Sequence, residues 1–80
     1  MIHIRAIYSL IEQEDAQGNR PVFAFKYITK AGEVIVCEQA VCSSSNFDRR
    51  TINVRMILSE ETRTLNNIGL IEFNGQEVIL

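Results

Sequence analysis

No run of the chain approaches the ~18 consecutive apolar residues that a membrane-spanning helix needs. The opening MIHIRAIYSL is too short, and too interrupted by His3 and Arg5, for a signal peptide. The expectation is a cytoplasmic protein with no membrane partner. Cysteine is scarce, with only Cys37 and Cys42. On one continuous strand their odd spacing puts them on opposite faces, roughly 16 Å apart at ~3.3 Å per residue. A disulfide needs Cα atoms within about 7 Å, and Glu38-Gln39-Ala40-Val41 offers no Gly or Pro to reverse the chain. Free, buried thiols are expected.

Histidine is scarcer still. His3 with the two cysteines makes three potential ligands, where structural zinc generally wants four, usually in pairs two to four residues apart. No metal and no cofactor is expected. There is also no nucleophile elbow, HExxH, phosphate loop or Gly-rich fingerprint, so no enzyme is expected. Ten acidic side chains against eight basic give a net charge of −2, which argues against a dedicated nucleic-acid binder but leaves a local basic patch open. The chain has no internal repeat, low-complexity tract or linker.

What is present reads as strands within one domain, residues 1–80. The firmest signal is Ile68–Leu80, two apolar runs joined by Asn74-Gly75, the dipeptide best suited to a type I′ hairpin turn. Glu72 then opposes Glu77, which calls for a nearby cation or full solvation. Ile71, Phe73, Val78 and Leu80 form the core face, leaving Leu70 and Ile79 outward. Ile2–Ile11 alternates as a first strand with its even face buried, so that Ile7 and Ile11 point outward. Val22–Thr29 puts Phe23, Phe25 and Tyr27 on one face, and a turn at Lys30–Glu33 leads into Val34–Cys37, with Glu38–Cys42 a possible bulged extension. Ser43–Arg50 reads as a loop. Thr51–Leu58 alternates with Ile52, Val54, Met56 and Leu58 inward. Ser59–Asn67 favours a turn and strand over a short helix, because two central threonines suit a strand. Five or six short strands with hairpin-length links imply an all-β antiparallel meander closing into a small barrel or roll, SH3-like or OB-like.

Two surfaces are candidates for binding. The first is apolar: Leu70 and Ile79 on the outer face of the hairpin with Ile7 and Ile11 of the first strand. It points to a protein partner or to self-assembly as a homo-oligomer, and is the preferred reading. The alternative is nucleic acid, carried by Phe47, Arg49, Arg50 and Arg55, with Lys26 and Lys30 joining if their hairpin lies alongside. An aromatic among arginines suits stacked bases and phosphates. Its bland counterpart has Phe47 plugging the core while Asp48 pairs with an arginine. A small-molecule pocket lined by Phe23, Phe25 and Tyr27 is a remote third, those rings being better suited to the core.

Overall fold

The computed structural model describes residues 1–80. In order the chain forms β1 (Ile2–His3), α1 (Ile4–Ile11), β2 (Phe23–Ile28), β3 (Val34–Asn46), β4 (Thr51–Met56), β5 (Thr62–Asn66), a 3₁₀ turn (Asn67–Gly69), β6 (Leu70–Phe73) and β7 (Gln76–Ile79). The strands make one seven-stranded sheet in the order β1-β7-β6-β2-β3-β4-β5, antiparallel except where β1 joins β7. The architecture is mostly β, as expected, with one short helix.

That helix replaces the predicted first strand. Ile4, Ile7, Tyr8 and Ile11 recur at the i, i+3, i+4, i+7 spacing of one helical face, and all four are buried. His3 caps the helix: its Nδ1 accepts the Arg5 backbone N–H at 3.1 Å. Ile7 and Ile11, expected on an exposed strand face, are each 1% exposed, while Leu10 from the expected core face is solvent-facing. Neither isoleucine is available to a partner.

Bulges account for the other departures. In the β2–β6 ladder Lys26 pairs with Glu72 but Tyr27 with Leu70, so Ile71 is an extra residue on β6. The extra residue turns Leu70 to the same side as Phe73, and Leu70 is 4% exposed rather than outward. Leu80, expected inward, is exposed. On β3 the register slips between the Phe23 and Phe25 pairings and again between Cys42 and Ser44. The first slip moves the inward set from Ile35 and Cys37 to Ala40 and Cys42, so both thiols lie on the core side despite their odd spacing. Both are free, Cys42 buried and Cys37 half-buried. Ser43–Asn46 extends β3 instead of forming a loop, and the break shrinks to residues 47–50. Leu58 lies beyond β4 and is exposed.

The terminal hairpin forms in the expected register, Glu72 opposite Glu77 and Phe73 opposite Gln76, with Asn74 at φ 49 and Gly75 at φ 78. The cation the opposed glutamates call for is Lys26, whose Nζ lies 2.9 Å from Glu72. Ser59–Asn67 gives a turn and β5, again as expected.

The sheet curls strongly. β5 and β6 stand four strand spacings apart in sheet order, about 19 Å if flat, yet only three residues join them, so that Asn66 and Leu70 lie four Cα steps apart, a span of at most about 14 Å. At that corner the Tyr27 hydroxyl on β2 accepts the Asn66 N–H of β5 at 3.0 Å. The concave face holds Phe23, Phe25, Ala40, Cys42, Ile52, Val54, Met56, Leu65, Leu70 and Phe73, roofed by the apolar side of α1. The sheet does not close, and β1 and β5 remain its edges.

Candidate functional site

Three features meet where the N-terminal turn of α1, the 47–50 turn and the 3₁₀ turn converge. A buried Tyr8–Asn67 contact ties them. The Tyr8 hydroxyl lies 2.7 Å from Asn67 Oδ1 and 3.3 Å from the Thr51 carbonyl oxygen. Its one proton goes to the nearer oxygen, 2.7 Å being the usual O–H···O separation. The Asn67 N–H in turn donates to the Arg50 carbonyl at 3.0 Å. Burial raises the Tyr8 phenol above its ordinary pKa, partly opposed by the Asn67 hydrogen bond.

The 47–50 turn is tight. Arg50 N–H donates to the Phe47 carbonyl at 3.1 Å, and Asn46 Oδ1 accepts the Arg49 N–H at 3.2 Å. Arg50 sits at φ 59, a left-handed conformation uncommon for a residue with a long side chain. Phe47 is 45% exposed. Its ring packs edge-to-face with Tyr8 at 5.1 Å between centroids, and the Arg5 guanidinium carbon stands 5.6 Å from its centroid.

These side chains border a surface hollow of about 540 Å³, lined by His3, Ile4, Arg5, Phe47, Arg50, Asn67, Ile68 and Leu80. Its charged side chains, Arg5 and Arg50, are both cationic, no acidic side chain lines it, and neither arginine has an Asp or Glu carboxylate within 4 Å. The volume falls within the ~300–1,000 Å³ common for small-molecule sites. The arrangement can hold an anionic group beside a flat ring. Elsewhere, no group of three or more His, Cys, Asp or Glu side chains converges in a way that could hold a metal ion.

The structure brings together Phe47 and Arg50 of the predicted cluster. Arg49 lies in the same turn without lining the hollow. Arg55 is apart: it stands five residues along β4 from Arg50, ~16 Å at strand rise, on the convex face between Val41 and Thr62. Lys26 is engaged by Glu72, and Lys30 lies at the far turn of the β2–β3 hairpin. Neither joins. Phe47 does not plug the core, and Asp48 makes no ion pair. Phe23 and Phe25 are core residues. Of the apolar set, only Ile79 is substantially exposed.

Sequence reasoning missed His3, Arg5 and Asn67. The 4-7-8-11 spacing of α1 could have brought His3 and Arg5 to a helix start, but nothing local marks Asn67, whose role depends on the return of the chain at the corner. Comparison of the chain with protein-family models, with curated proteins and with solved structures found no match.

Proposed function

We propose that this is a small non-enzymatic binding module, working in the cytoplasm, that takes single-stranded nucleic acid at the Phe47–Arg50 hollow. We infer that its curled sheet is an incomplete relative of the small SH3-like or OB-like barrels. The observation that carries the functional reading is an exposed Phe47 ring flanked by Arg5 and Arg50 in a hollow without acidic residues. Stacking on an aromatic contributes roughly 1–3 kcal/mol per base and tolerates sequence, while unpaired guanidinium groups engage phosphates.

The test is fluorescence anisotropy of labelled single-stranded RNA and DNA. If Arg5, Arg49 and Arg50 neutralise about three phosphates, log K falls with log salt at a slope near −2, a roughly tenfold to twentyfold loss between about 50 and 200 mM. Phe47→Ala should cost about tenfold or more. Saturable binding that ignores both salt and Phe47 would remove this site.

Self-association is the second reading, favoured by exposed aliphatic side chains on the convex face, where Ile28 pairs with Val34 and Val36 lies two residues on. Absolute mass by light scattering across a tenfold dilution measures it. A monomer throughout sets it aside.

A further inference from the structure

We propose that the hollow prefers guanine to adenine as the base it seats. This rests on the single-strand reading above and follows from a count of hydrogen-bonding groups. Arg5 and Arg50 are donors only. His3 uses Nδ1 to accept the Arg5 N–H, so in the neutral ring the hydrogen is on Nε2, the nitrogen left free. Asn67 Oδ1 is taken by the Tyr8 hydroxyl, and its amide nitrogen donates to no protein group. Asn67 is only 6% exposed, and no buried side-chain nitrogen or oxygen lacks a partner. The Asn67 amide nitrogen therefore keeps some exposure, and Asn67 lines the hollow.

Three of the nearby backbone carbonyls already accept a bond within the fold. The Phe47 carbonyl takes the Arg50 N–H, the Arg50 carbonyl takes the Asn67 N–H, and the Asn67 carbonyl takes the Leu70 N–H. The side chains facing a ligand thus donate without accepting, so a ligand acceptor finds more partners there than a ligand donor does. Guanine offers two adjacent acceptors, N7 and O6, which a guanidinium meets with two parallel bonds, whereas adenine pairs its N7 with the N6 donor and cytosine presents its N4 donor. Phe47 stacks on any base and contributes no choice.

The experiment is NMR titration of the ¹⁵N-labelled full chain with GMP, AMP and 7-deaza-GMP, reading the Arg50 and Asn67 amides. GMP is expected to bind at least about tenfold more tightly than AMP, within the range one good bidentate contact supplies. Loss of N7 in 7-deaza-GMP should remove most of that advantage. Asn67→Asp keeps an acceptor for Tyr8 but turns an acceptor toward the ligand, so both affinities should fall and the GMP-to-AMP ratio should narrow. Arg50→Gly should narrow the ratio too, and with no side chain to bury it does not depend on the Asp variant folding. Equal affinities for GMP and AMP overturn the guanine preference, as do nucleotides that leave the Arg50 and Asn67 amides unmoved. Either result leaves the broader reading to be judged by the oligonucleotide anisotropy alone.

Discussion

Arg50 holds a backbone conformation that suits glycine and a side chain that glycine lacks. At φ 59 the left-handed region costs a non-glycine residue about 1–2 kcal/mol. Arg50→Gly relieves that cost but adds unfolded-state entropy. Denaturant unfolding should therefore show stability unchanged or raised by up to about 1 kcal/mol, while oligonucleotide binding falls. A large loss of stability would mean that the arginine is there for the fold. Tyr8 makes a complementary prediction in pH. Burial favours its neutral phenol, so its folded pKa lies above the ordinary 10.0. The unfolded chain then ionises first, so the stabilisation is complete below pH 10 and is lost as pH rises through the folded value. Cys42 acts in the same sense from its ordinary 9.0, raised by burial against the opposing Arg20 guanidinium. Wild type should lose stability more steeply above pH 10 than Tyr8→Phe. Equal slopes would place Tyr8 ionisation outside the folding balance.

At the scale of elements, legibility followed whether one period alone fitted. Thr51–Met56 and the Asn74-Gly75 hairpin satisfied only the two-residue alternation: Ile52, Val54 and Met56 face inward as expected, and Glu72 and Phe73 oppose Glu77 and Gln76 as expected. The opening segment satisfied both templates. Positions 2, 4, 6, 8 and 10 are all apolar or aromatic, and so are 4, 7, 8 and 11. Three isoleucines within α1 argued for a strand, and no Ser, Asp or Asn marked a helix start. Tertiary packing decided it, because a curled sheet with an apolar concave face needs a roof and α1 provides one. Bulges were equally hidden: an extra residue at Ile71 reverses which side chains face inward, and no local signal announces it. The two templates differ in what they bury. Ile7→Ala should cost about 2–4 kcal/mol through the cavity it opens, whereas Leu10→Ala, on the exposed side, should stay within about 0.5 kcal/mol. Urea unfolding of the pair decides between helix and strand, and a larger loss at Leu10 would restore the strand.

For the molecule as a whole, the corner at Asn66–Leu70 couples fold to site. It returns the chain from the β5 edge to β6, giving the sheet its curl, and it also carries Asn67 and Ile68 into the hollow. Half of the site was legible as a result: Phe47 and Arg50 share one four-residue turn, but their partners Arg5 and Asn67 arrive only through this return and through α1. The return passes close to β2. A Cβ added at Gly69 would lie 2.5 Å from the Ile28 carbonyl oxygen and 2.7 and 2.9 Å from Tyr27 ring carbons. The carbonyl belongs to backbone within the sheet and cannot swing away, and the Tyr27 ring is held by its bond to the Asn66 N–H. Gly69→Ala must therefore push the 3₁₀ turn off β2, at a cost typical of overpacking, about 1–3 kcal/mol. The displaced turn carries Asn67 with it, so the variant should also weaken GMP binding although residue 69 does not line the hollow. Chemical denaturation and the NMR titration, run on the same variant, should register both losses. Loss of stability with full GMP affinity would show that the corner shapes the sheet but not the site.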